Sequence, residues 1–420
     1  MIPSLPLPGF TLYISLPFLK KTAYLRHSGQ VPIIIPVLLE LKNKLMRYIY
    51  ITEKGFHLPE RLLKSTGNAP VILLSHPKKI SWCQKQKINN DSIVQVYNAT
   101  ELNGDALNLN EGAVVTLPIS VGQLKLKFVP RAENPDLRPY YEEIEQLHKI
   151  GFRRFQLYTL FGVRTLELPH LLYEFEGLHK NNIGIVVANG PSLRKVDISD
   201  LKSHITFGSN RIFQGFQEWS FEFNYWAIED RLQIEEYKTE YEENLRDSSV
   251  NMFPFEYTPF LEYPNACPLN HYYNPPEPRF SLNSSTIEHG FTVTHMLMQL
   301  AAIMGCNPIY LVGLDHSYDI GQFDKEYGSF RPESAKLEVP QKAEFWDNSQ
   351  ANTDTHFSKN YTTGNKRFVP PRPKAAELSY ENAYQVMTKA GIKVYNASPG
   401  TMLDVFPKIS AEELKEALSK

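Results

Sequence analysis

Four apolar runs between residues 183 and 315 end in residues able to hold an anion or move a proton. These endings are Asn189-Gly190, Ser209-Asn210, Glu229-Asp230 and Gly313-Leu314-Asp315. The stretch from Ile183 to Asn210 is the richest of them. A buried strand over 183–188 runs into a tight glycine turn, and Pro191-Ser192-Leu193 then opens a helical segment. Proline suits the first helical position because its missing N–H would have no intrahelical partner there. Such a turn leaves backbone N–H groups unpaired at the carboxyl end of a sheet, which favours a phosphate or another anion. One Asn-Gly-Pro-Ser turn could equally be an ordinary strand-to-helix connection. Four polar strand ends gathered on one rim make a ligand site the better reading.

The elements that must position these residues alternate. A second strand is expected at 204–207 and a third in FNYWAIED (223–230), followed by a proline- and aromatic-rich loop over about 253–280. A buried helix follows over 290–304 and a fully buried strand over 308–314. Beyond the polar stretch 316–372, a helix (375–390), a strand (392–396) and a terminal helix (411–418) complete the pattern. Strand–helix alternation implies a doubly wound, mostly parallel, Rossmann-like α/β sheet with helices on both faces.

At 420 residues two domains are the natural expectation. Apolar runs at 32–39, 47–52, 70–75, 92–98 and 113–119, with helical material such as Pro59–Lys64 between them, predict a separate, smaller N-terminal α/β domain. A helix is expected from Tyr140 to Ile150, with Tyr141, Ile144, Leu147 and Ile150 on one face, and a second apolar helix over 165–178. The boundary is placed near residue 175, giving an N-terminal domain (1–175) without a readable function and a catalytic domain (176–420).

A net charge of −2 gives no basic field to recruit nucleic acid. Cys83, Cys267 and Cys306 are widely spaced, match no zinc pattern and cannot build a disulfide framework, so a cytoplasmic setting is expected. The uncharged first 19 residues carry prolines at 3, 6, 8 and 17 and no basic residue ahead of the apolar run. They read as an extended arm, not as a signal peptide or a spanning helix. Lys20-Lys21 leaves open a peripheral contact at the inner face of the membrane.

The runs NGPSL (189–193), SN (209–210), IYLVGLD (309–315), HFSKNY (356–361) and VYNASPG (394–400) recur in this order in one superfamily. The chain resembles the bacterial 6-hydroxymethylpterin diphosphokinase-like proteins over about 180–408. It is also similar to the sialyltransferases of bacterial lipooligosaccharide and to the motility-associated nonulosonate transferases of flagellin. The sialyltransferase resemblance implies a nucleotide cradle in which Asn189, Gly190, Pro191 and Ser192 meet a CMP-linked donor and Ser209-Asn210 contacts the nucleotide. Gly313, Asp315 and Asp230 are the neighbouring strand ends. Thr292-Val293-Thr294 stands where that family has Thr-Ser-Gly, which adds Thr294. His356 falls where the family keeps the histidine that takes the acceptor hydroxyl proton, a task suited to a side chain that titrates near neutrality. Tyr318 and Tyr361 are candidates for meeting the leaving phosphate.

The resulting expectation is a metal-independent glycosyltransferase moving a sialic-acid-like nonulosonate from a CMP-sugar to a glycan or protein hydroxyl, with no cofactor required. The alternative is a diphosphokinase, in which Asp230 and Asp315 would hold Mg²⁺ between phosphate oxygens. A non-catalytic scaffold of the same fold is the third reading.

Overall fold

A computed structural model describes residues 47–51, 71–89, 93–102, 107, 109, 113–118, 140–159, 162–258, 261–272, 278–317, 346–347, 356–361, 367–368 and 371–419. The expected proline-rich arm, the run at 32–39, the helical material at Pro59–Lys64 and most of 316–372 lie outside the described residues. The chain divides into two compact units. The first contains residues 1–126 and 142–167, and the second contains 127–141 and 168–420.

The first unit carries β1 (Arg47–Ile51), β2 (Val71–Ser75), α1 (Ile80–Asn89), β3 (Ile93–Asn98), β4 (Val114–Pro118), α2 (Tyr141–Ile150), β5 (Arg154–Thr159) and β6 (Gly162–Glu167). Its sheet runs in the order β3-β2-β1-β4-β5-β6, parallel except for the β5–β6 hairpin. Strand β2, apolar except for its last residue Ser75, is buried along its length, as a central parallel strand requires. The four positions on the apolar face of α2 are all buried. The helix expected over 165–178 is not formed. Thr165 to Leu168 alternates exposed and buried, the period of a strand, and its first residues pair with β5; only Leu172–Phe175 turns, as a 3-10 helix.

The second unit carries β7 (Gly184–Val187), β8 (Ile205–Ser209), α3 (Phe216–Trp219), β9 (Tyr225–Ala227), α4 (Arg231–Asn244), β10 (Val250–Pro254) and β11 (Ala266–Leu269). It continues with β12 (His271–Tyr272), β13 (Ile287–Glu288), α5 (Val293–Ile303), β14 (Ile309–Val312), β15 (Trp346–Asp347), β16 (Arg367–Phe368), α6 (Pro373–Lys389), β17 (Val394–Asn396) and α7 (Ala411–Leu418). Its main sheet has the order β11-β10-β9-β8-β7-β14-β17, with every pair parallel. Successive residues face opposite cores. Val186, Phe207, Tyr225 and Ala227 pack with α5 and α6, whereas Ile185, Val187, Trp226 and Val312 pack with residues of α4. Apolar helices on both faces explain why these strands read as continuous hydrophobic runs. The fold is thus the doubly wound α/β arrangement expected. Strands β10 and β11 occupy part of the span read as a proline-rich loop, and α4 gave no amphipathic signal because its outer face is dense in glutamate. Among the described residues, no helix is long and apolar enough to cross a membrane.

Candidate functional site

Strand order reverses between β7 and β14: the chain moves outward through β8 to β11 on one side and through β17 on the other. A crevice at the carboxyl ends of such a switch point is where open α/β sheets bind ligands. Because β9, β8, β7 and β14 are parallel neighbours, the four polar endings fall on this one edge.

The loop after β7 is held tightly. The Gly190 N–H donates to the Gly313 carbonyl at 2.9 Å, and a Cβ at Gly190 would stand 2.5 Å from that oxygen and 2.8 Å from Asp315 Oδ2. Gly313 itself has φ +71°, and a Cβ there would meet the Ala188 carbonyl at 2.5 Å. Pro191 opens a 3-10 turn running to Lys195. The Ser192 N–H donates to Asp315 Oδ2 at 2.7 Å, the Ser192 hydroxyl donates to Asp315 Oδ1, and the Leu193 N–H donates to the Gly190 carbonyl. The expectation of amides left open to a phosphate is therefore not met at Gly190, Ser192 or Leu193. A carboxylate already sits at the start of the turn, where the dipoles of the N–H groups favour negative charge.

The loop does present acceptors. Asn189 Nδ2 donates to the Ser209 carbonyl and to Ser209 Oγ, both at 3.2 Å, while Asn189 Oδ1 is buried without a donor among the described residues. Asn210, at φ 50°, gives its carbonyl to Trp226 Nε1 at 2.7 Å, and its Oδ1 is likewise buried without a donor among the described residues. Buried polar atoms are rarely left without a partner, and these two oxygens stand at adjacent strand ends of the rim.

His356 comes to this loop along a separate segment. The Phe357 N–H donates to the Asn189 carbonyl at 2.9 Å; Arg194 Nε donates to the Phe357 carbonyl at 2.8 Å, and Arg194 Nη2 to the His356 carbonyl at 2.7 Å. The imidazole stacks on Tyr361 with centroids 3.9 Å apart and planes 8° from parallel. Buried Arg211 fixes the end of the segment. It donates to the Asn360 and Tyr361 carbonyls, pairs with Glu240 at 2.7 Å, and lies over the Tyr237 ring at 4.5 Å. Burial, reinforced by the Arg211 charge, lowers the His356 pKa to about 4. The near-neutral titration expected from the residue type is corrected accordingly. Burial raises the Tyr361 phenol above its ordinary value, opposed by hydrogen bonds from the Arg211 backbone and the Asn210 side chain. Tyr318 lies outside the described residues.

The other candidates are accounted for locally. Asp230 caps α4, its Oδ1 accepting from Leu232 and Gln233, and Thr294 is buried in the first turn of α5 beneath the Thr292 cap. The VYNASPG run braces the Asp315 loop from below: Leu314 N–H donates to Ser398 Oγ at 2.8 Å, Thr401 Oγ1 donates to the Leu314 carbonyl at 2.8 Å, and Met402 N–H reaches the Asp315 carbonyl. Arg194 and Arg211, which carry the histidine segment, were not singled out in the sequence, because a lone arginine on a helical turn has no pattern. Glu229 is buried beside His271 and His289, a grouping drawn from three separate parts of the chain.

The fold and its rim define a doubly wound α/β protein with polar residues gathered at a topological switch point. Residues 162–321 match the model of a family described as 6-hydroxymethylpterin diphosphokinase MptE-like. The resemblance read from the sequence is borne out over that stretch, which contains Asn189 to Asp315 but neither His356 nor the VYNASPG run. The solved MAf glycosyltransferase from Magnetospirillum magneticum AMB-1 is 10% identical over 96% of this chain and 71% of its own, at a TM-score of 0.34, a likeness too remote to argue from. No curated protein matches the chain.

Proposed function

We propose that the protein is a glycosyltransferase that binds a CMP-linked, sialic-acid-like nonulosonate at the switch-point rim and passes the sugar to a hydroxyl of a glycan or protein. The observation that carries this reading is the docking of His356 on the Asn189 loop by three hydrogen bonds to backbone carbonyls. A neutral imidazole there takes the proton of the acceptor hydroxyl as that oxygen bonds to the anomeric carbon. The bond from that carbon to the phosphate oxygen breaks, and CMP leaves with the electron pair. A pKa near 4 keeps the ring in its accepting form at neutral pH. The unpartnered oxygens of Asn189 and Asn210 suit ribose hydroxyls or the cytosine amino group, since a phosphate oxygen offers no proton. Among the described residues these two oxygens support a nucleoside, more than a phosphate, against this loop.

The diphosphokinase reading draws on the family match. It needs carboxylates open to Mg²⁺, and the pair available does not fit: both Asp315 oxygens accept from Ser192, and Asp230 is a helix cap. Calorimetry with CMP and with ATP, each with and without Mg²⁺, separates the readings. CMP binding without Mg²⁺ is expected. Mg²⁺-dependent ATP binding with no response to CMP would establish the kinase reading instead, and silence to both would leave a scaffold.

A further inference from the structure

Glu229, His271 and His289 come together from three parts of the second unit. Glu229 follows β9, His271 opens β12, and His289 follows β13, which pairs in parallel with β12. The Glu229–His271 contact is 3.3 Å between Oε2 and Nε2, and the Glu229–His289 contact is 3.7 Å between Oε1 and Nδ1. One ligand atom from each residue lies within 4.8 Å of the other two. The side chain of His271 is fully buried, that of Glu229 is 6% exposed and that of His289 is 17% exposed.

These separations discriminate between two arrangements. A charge-assisted imidazole–carboxylate hydrogen bond is about 2.7–2.9 Å long, shorter than either contact. Atoms bound to one tetrahedral zinc at about 2.0–2.1 Å stand about 3.3 Å from each other, which the Glu229–His271 contact of 3.3 Å matches and the Glu229–His289 contact of 3.7 Å approaches. Two imidazole nitrogens with one carboxylate oxygen suit zinc and its neighbours, and not Mg²⁺, which takes oxygen ligands.

We propose that Glu229, His271 and His289 bind one divalent transition-metal ion of the zinc class. The ion ties the excursion from β12 to β13 onto the carboxyl end of β9. It is not Mg²⁺, and it is distinct from the Asn189–His356 chemistry, so its role is structural to the rim.

Crystals of the unsubstituted protein grown with zinc and measured at the zinc absorption edge test this directly. An anomalous peak bridging the three side chains is expected; a peak only at other residues, or none, overturns the proposal. In solution, chelator-stripped protein should take up one Zn²⁺ per chain. His289→Ala should weaken that uptake by more than about 100-fold, while Glu229→Gln should weaken it less severely. Equal zinc affinity in protein and variants would assign the ion elsewhere and reject the site. Because anomalous scattering reads the ion itself, the outcome is separate from whether CMP binds.

Discussion

At the scale of single residues, His356 combines a stacked, half-buried ring with a backbone fixed by Arg194. His356→Ala should reduce turnover by roughly 10²–10⁴-fold and leave donor affinity nearly unchanged, because a base meets the acceptor and acts in the transition state. The acid limb of kcat/KM should fall near pH 4, since the ring loses its accepting form only below that value. Equal losses in donor affinity and turnover would instead give His356 a phosphate-binding role, and an active variant with an unaltered profile would remove it from the mechanism. Asn189 behaves differently. Its Nδ2 makes two 3.2 Å contacts to Ser209, so Asn189→Ala should cost only about 1 kcal/mol of stability. CMP affinity should fall about tenfold, equivalent to about 1.4 kcal/mol, through loss of the Oδ1 acceptor. Calorimetry alongside thermal melting checks both, and a large drop in Tm with intact affinity would make Asn189 a turn residue only.

At the scale of elements, the rim depends on the loop after β7 and the loop after β14 approaching as bare backbone. Gly190→Ala places a methyl group against the Gly313 carbonyl, which cannot withdraw without losing the Gly190 N–H bond, and against the Asp315 carboxylate, which cannot withdraw without breaking the Ser192 contacts. A loss of about 3 kcal/mol in denaturant unfolding of the second unit is expected, and a variant of unchanged midpoint would show that the two loops separate easily. This close approach was only half legible in the sequence. The glycines, the proline at the start of the turn and the buried strands were readable, because local chain geometry and burial on both sheet faces set them. That a carboxylate 123 positions away fills the turn was not readable, since that contact exists only after β7 and β14 pair. The same reason hid Glu229, His271 and His289, which share no spacing. The helix expected over 165–178 does not form because Thr165-Leu166-Glu167-Leu168 alternates with the period of a strand, and β5 offers an edge to pair with.

At the scale of the whole molecule, one buried and three half-buried histidines make stability depend on pH in one direction. The folded pKa values of His356 (about 4) and His295 (about 3) lie below the ordinary value of 6.5, and burial also lowers His179 and His316. Between pH 6.5 and 4 the unfolded chain therefore binds more protons than the folded one at these positions. Stability falls as pH is lowered, by up to about 1.4 kcal/mol per unit for each of His356 and His295. Half-buried Glu288 acts with the opposite sign: its raised pKa makes the folded state hold its proton, which favours it on acidification. The histidines outnumber it and His356 and His295 have the large displacements, so the net slope should be towards instability in acid. Denaturant midpoints should be constant from pH 8 to about 7 and drop steadily from about 6.5 to 4. His356→Gln, which removes one of the two main groups while keeping a polar side chain, should flatten that decline by up to about 1.4 kcal/mol per pH unit. A profile identical to that of the unsubstituted chain would mean that the His356 ring gains a proton in the folded state as readily as in the unfolded one. The base at the centre of the proposed transfer would then be open to water and lose its burial-depressed pKa.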